Sequence, residues 1–199
     1  MVFEVTNMAT ESFSKGYKWL HWLMAAMVIM MIFAGQRFSS NMPVEEHMMG
    51  LTGHTTIGTL LVILLSIRIY KRFVAKHPIP DPELPNWQKQ AARLVQFGLY
   101  ALLVMVPLSG YLTATFHELP VRAFGQIDIS ALAEHNETIF LYVRGVHETT
   151  IQLLVLFLFM HIGAALYHHF IVRDGILASM GWRTKTSAHE NDKPTMLEH

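Results

Sequence analysis

Four long apolar stretches separated by polar, proline-bearing segments dominate the chain. The first, WLHWLMAAMVIMMIFAG from Trp19 to Gly35, is broken only by His21 and approaches the roughly 20 residues needed to cross hydrocarbon. The second runs from about Leu51 to Phe73, apolar from Ile57 to Ile67 and closed by Arg68, Lys71 and Arg72. The stretch HPIPDPELPN ends it, because prolines lack amide donors and push their neighbours out of helix. A third covers about Ala91 to Phe116, with Pro107 and Gly110 as kink points that a membrane helix tolerates. The fourth, about Val143 to Val172, is longer than the hydrocarbon and should protrude on one side.

The expectation is an all-α integral membrane four-helix bundle, with helices at about 18–38, 51–73, 91–116 and 143–172. Residues 1–182 form its single domain and 183–199 a polar, disordered tail. The final Leu-Glu-His resembles the start of a purification-tag scar. No cleavage motif follows the first span, so it reads as a retained helix. His117 to Tyr142 mixes Pro, Gly, Asp, Asn and Glu with short apolar runs, which predicts a loop outside the membrane with a short surface helix near Ser130 to Asn136.

Composition agrees with this class. Of 199 residues, 52% are hydrophobic and 15% charged, where soluble domains carry about a quarter charged residues. The net charge of zero gives no reason to expect a nucleic-acid partner. Twelve lysines and arginines lie on the side of the termini and the second connection, against Arg37, Arg122 and Arg144 on the other. By the positive-inside rule both termini are then cytoplasmic. The chain has no cysteine, which rules out iron–sulfur clusters and covalently attached haem, and it has twelve histidines.

Ionisable groups within a span are costly and mark function by default. His21 lies near the cytoplasmic start of the first helix and His54 near the opposite start of the second. On the fourth helix His147 and His161 are 14 residues apart, about 21 Å along the axis and on almost the same face. The depths pair His54 with His147 and His21 with His161. Two neutral imidazoles facing each other suit a haem iron with both axial positions filled, a centre for electron transfer rather than oxygen chemistry. A lone membrane histidine is often only an interhelical hydrogen-bonding group; depth matching of all four favours ligation. Small residues at Gly50, Gly53, Gly58, Gly145, Gly163 and Ala164 would let a flat ring approach the backbone.

Arg68, 14 residues after His54, should face the inner level. There it either meets a haem propionate or snorkels to the basic surface. Lys18 and Arg173 are weaker candidates at that level, as are Arg37 and Arg144 at the other. His168 and His169 cannot both face the bundle. His47, His77, His117, His135, His189 and His199 lie in or beyond the loops, and the methionines of the first helix read as packing.

The motifs KWLHW at 18 to 22, GHTTIG at 53 to 58, PLSGY at 107 to 111 and VHETTIQLLVLFLFMHIGAALYHHFIVRDG at 146 to 175 resemble the bacterial cytochrome b-561 family over about residues 13 to 182. The resemblance implies two haem b groups with ligands at His21, His54, His147 and His161, in the bacterial cytoplasmic (inner) membrane. It also implies exchange of electrons with ubiquinone or another membrane quinone. The sequence departs from similar proteins at Gln96, where they can have histidine. Among similar proteins one branch acts as a superoxide:ubiquinone oxidoreductase. The far side carries Glu45, Glu46, Glu118, Asp128, Glu134, Glu137 and Glu148 against its three arginines, which is the wrong sign to attract superoxide and suits a basic periplasmic electron carrier. A haem-bearing membrane anchor of a dehydrogenase or hydrogenase is a second redox reading. A metal-ion transporter is the non-redox alternative, disfavoured because the acids lie outside the spans.

Overall fold

The computed structural model describes residues 14–36, 43–74, 85–173 and 176–181. Four helices carry the chain through a membrane-sized bundle: α1 (Lys15–Gly35), α2 (Val44–Val74), α3 (Asn86–Thr115) and α4 (Glu137–Tyr167). All four are long and apolar enough to span a bilayer. Their outer faces are rich in exposed Leu, Ile, Val, Phe and Met, as a helix needs when lipid is its solvent.

Neighbours in sequence pack as two hairpins, α1 along α2 and, more extensively, α3 along α4. Gly98 sets the second contact. A Cβ there would overlap the ring of Phe157, so the absence of a side chain on α3 lets α4 come close. Between the helices Met24, Val28, Leu65 and Leu154 are buried, together with the polar Lys18, Arg68, Ser109 and Thr150.

The helices outrun their hydropathic cores. α2 begins at Val44, seven residues before the apolar pattern, with Glu45 and Glu46 in its first turn where the helix dipole favours acids. α4 begins at Glu137 rather than near 143, because Asn136 caps it by accepting a bond from the Ile139 amide at 3.0 Å. At the far end α4 passes into a π turn, His168–Val172, closed by the Arg173 amide on the His168 carbonyl at 2.6 Å. Arg173 then adopts a left-handed conformation, φ 58°. Beyond Arg173 a one-turn helix forms, α5 (Ile176–Met180). The expected polar tail at 183–199 lies outside the described residues, as do Arg37 and His77.

The segment joining α3 to α4 is a folded cap rather than a plain loop. Two short strands, β1 (Arg122–Ala123) and β2 (Ile127–Asp128), pair antiparallel with Ala123 opposite Ile127. Phe124 and Gly125 take positive φ values of 53° and 69°, the turn geometry that suits the twist of a hairpin. The expected surface helix shrinks to a 3₁₀ turn, Ser130–Leu132. Asp128 organises that turn, accepting from the Ser130 amide at 3.1 Å and the Ser130 hydroxyl at 2.6 Å. Val121, Ala123 and Ile129 pack with Ala114 of α3 into a small core, against which Leu51 of α2 rests. The Phe124 amide donates to Thr56 Oγ1 at 2.8 Å and so fastens the hairpin tip to α2.

Beneath the cap, the rings of His47 on α2 and His117 stand 6.0 Å apart, and His117 also packs edge-on against Phe140 at 5.0 Å. The Leu119 amide donates to His117 Nδ1 at 2.9 Å. Burial, with His47 as a lesser cause, holds the His117 imidazole below its ordinary value of 6.5.

Two predictions follow from this packing. Gly98→Ala should destabilise the α3–α4 contact by about 1–3 kcal/mol, the usual cost of overfilling a packed site. The measurement is the thermal unfolding midpoint in detergent, and an unchanged midpoint would contradict the close approach. For His117, a depressed folded-state value means that the unfolded cap takes up the proton first. Its contribution to stability is full above about 6.5 and declines as pH falls through that value. Amide hydrogen exchange in 117–130, corrected for intrinsic rates, should therefore accelerate between about pH 7.5 and pH 5.5. The change should flatten in His117→Gln.

Candidate functional site

Four half-buried imidazoles line the interior at two levels. His21 lies two turns into α1, and the spiral of α4 carries His161 to the same level. Their ring centres are 6.3 Å apart with planes at 77°. Metal–nitrogen bonds of about 2 Å on either side of one ion, plus the two ring radii, fill such a gap. At the other level His54 of α2 and His147 of α4 are near enough to interact electrostatically. His54 lies beside the end of α1, where a Cβ on Gly35 would be 3.8 Å from its Cε1. His21 is thus a neighbour of His161, and His54 lies within electrostatic reach of His147.

His147 is held from behind by α3. Its Nδ1 is 3.0 Å from the carbonyl of Val106 and 3.0 Å from Ser109 Oγ. The Ser109 hydroxyl has its own acceptor in the Met105 carbonyl at 2.9 Å, so the ring nitrogen donates to the Val106 carbonyl and keeps Nε2 as the lone-pair atom. Gly110 makes room for this. A Cβ there would fall 2.9 Å from His147 Cε1, too close for the ring to stay where it is. Pro107, Ser109 and Gly110 all belong to the PLSGY motif, but sequence alone gave Ser109 no role.

Arg68 is buried, 9% exposed, and lies over the ring of Tyr17 at 4.5 Å. Its charge reaches both His21 and His161. Its Nη1 is fully buried with no hydrogen-bond partner among the described residues. A buried guanidinium nitrogen is expensive to leave unmatched, and an anionic group beside the inner histidines would satisfy it.

The other basic candidates have different partners. Lys18 Nζ donates to the Gly181 carbonyl at 2.9 Å, and Trp22 Nε1 donates to the Met180 carbonyl at 3.1 Å, so both tie the end of α5 to the turn of α1 that bears His21. Arg144 pairs with Glu148 at 2.8 Å on the surface, and Arg173 turns to the Phe170 carbonyl at 3.3 Å. His168 is half-buried and His169 exposed, in keeping with adjacent positions on a helix. Gln96 sits exposed on α3. Gly53, Gly145 and Gly163 would each meet nothing within 4 Å if given a Cβ, so these positions are open rather than packed against a neighbouring helix.

The fold and these residues define a class, a multi-pass helical membrane protein whose interior is organised around histidines. The family model described as prokaryotic cytochrome b561 matches residues 12–183, and the chain belongs to that family. It is 26% identical over 179 residues to cytochrome b561 homolog 1 of Escherichia coli (strain K12), covering 87% of this chain and 98% of that protein. It is 33% identical over 127 residues to cytochrome b561 homolog 2 of the same organism, covering 64% of this chain and 68% of that protein. Membership makes this a bacterial membrane protein of electron transfer that uses b-type haem. The residues present fit that group: neutral imidazoles for the iron, a glycine that seats one of them, and an unmatched buried guanidinium for a carboxylate.

Proposed function

We propose that the chain carries electrons across the bacterial cytoplasmic membrane through two b haems in series, one between His21 and His161 and one between His54 and His147. The observation that supports this reading is the approach of the His21 and His161 rings, 6.3 Å between centres, with His147, 14 residues earlier on α4, in electrostatic reach of His54. A haem bound there would supply a one-electron iron couple, and the paired histidines would be the residues that hold its iron. The protein's part is to hold the rings, exclude water and match charge. Val106 and Gly110 orient His147. Arg68 pairs with a propionate of the haem at the His21 level, which accounts for its burial beside those rings.

The orientation follows from charge. Lys15, Lys18, Arg68, Lys71, Arg72, Lys89, Arg93 and Arg173 cluster at the end bearing the termini, which is cytoplasmic by the positive-inside rule. The cap is then periplasmic. Electrons pass between a membrane quinone, ubiquinone or a relative, and a partner at the acidic cap, for which a basic soluble carrier is the complementary choice.

The purified protein should show a b-type spectrum with two haems per chain. Replacing His54 or His147 by alanine should remove one haem, and replacing His21 or His161 the other. A wild-type stoichiometry of one would overturn the two-level reading, and loss of both haems from every single variant would remove the support for the pairing. Separately, the rate of electron exchange with a basic carrier should fall as ionic strength rises. A salt-independent rate would exclude the acidic cap as its docking face.

A further inference from the structure

At the end of the bundle opposite the cap, three helices meet in a run of four side chains. Arg68 of α2 lies 4.5 Å above the ring of Tyr17 on α1. Tyr17 lies beside Tyr100 of α3. Arg72, one turn beyond Arg68, stands 5.6 Å from the centre of the Tyr100 ring. Tyr17 is 5% exposed, so its face is a dry platform, where a guanidinium stacks more strongly than at a wet surface. The ring face of Tyr17 fixes the rotamer of Arg68. From there the cation is felt at His21 and at His161.

The other level has a different electrostatic setting. Beside His147 the carboxylate of Glu148 lies on the surface, paired with Arg144 at 2.8 Å, and the Val106 carbonyl takes the Nδ1 proton of the ring, which makes the imidazole a more basic ligand. We propose that Arg68, held in place by Tyr17, makes the His21–His161 site the higher-potential of the two haem sites. Reduction adds one negative charge to a site. A fixed cation nearby in a low-dielectric interior stabilises that form, directly and by neutralising a propionate, whereas a more basic ligand stabilises the oxidised one. An electron shared between the two sites therefore resides at the inner one. It is lost by one iron and gained by the other with no further reactant, so the internal bias runs from the cap toward the termini. Tyr17 acts here as a positioning residue.

This inference rests on the two-haem reading, and potentiometric titration of the purified holoprotein separates the two. Wild type should titrate in two steps, and His161→Ala should lack the upper one. Tyr17→Leu should retain both haems while its upper step moves down toward an unmoved lower step. Tyr17→Phe, which keeps the ring face, should titrate like wild type. Arg68→Gln should lower the same upper step and provides the test if Tyr17→Leu does not fold. An upper step that survives in His161→Ala, or that stays in place in Arg68→Gln, would overturn the assignment with the two-haem reading intact. A wild-type protein with a single haem would defeat that reading itself.

Discussion

Hydrocarbon offers a polar group nothing to bond with, so each imidazole that α4 carries into the membrane needs a partner supplied by the protein or its cofactor. His147 and His161 stand on one side of one rigid helix, 14 residues apart. The spacing of the two levels is set by the helix rise and cannot relax independently. The rest of the bundle is arranged to meet those two points. α1 and α2 run in opposite directions, and each carries its histidine in its own first half, so one arrives at each depth. α3 brings no histidine. It supports α4 instead, with Gly98 beneath Phe157 and with Val106, Ser109 and Gly110 around His147.

Each level is also fastened from outside the bilayer. On the cap side, the hairpin bonds to Thr56, two residues beyond His54, and packs its small core on Leu51, three residues before it. On the other side, Lys18 and Trp22, three residues before and one after His21, hold the carbonyls at the end of α5. The surface elements thus act on the same helical turns that carry the interior rings. A sequence change in the cap can move a histidine without touching it.

The four spans were legible because a lipid-facing helix must be apolar over about 20 residues, and hydropathy reads that directly. The ends were not legible for the same reason: apolarity stops where the hydrocarbon stops, while α2 and α4 continue as ordinary capped helices from Val44 and Glu137. The relative depths of the four histidines could be counted along the chain because helical rise and periodicity are fixed. Arg68 could be placed at the inner level by the same count. What the count could not supply was the company Arg68 keeps. Tyr17 reads as one aromatic among many at a membrane interface, and only the crossing of α1 over α2 puts its ring under the guanidinium. The cap was hidden because its strands are two residues each and its turn depends on the positive φ at Phe124, which no residue preference announces. The one-turn helix after Arg173 depends on partners far away in sequence and left no periodic trace.

That short helix answers a weakness in α1. His21 is only six residues from the first residue of its helix, and a helix start leaves its first amides without internal partners and frays readily. Ser14, at the capping position, makes no side-chain capping bond. The inner level would then depend on a loosely held end, and its distance to His161 of α4 would fluctuate with that end. The bonds from Lys18 and Trp22 to α5 remove this freedom by attaching the first two turns of α1 to the chain that leaves α4. Because α5 hangs directly from α4 through the π turn and the left-handed Arg173, the attachment ties His21 to the same helix that carries His161. The two members of the inner pair are therefore held in register by a connection that runs outside the membrane, where backbone carbonyls can leave a helix at no cost in hydrocarbon.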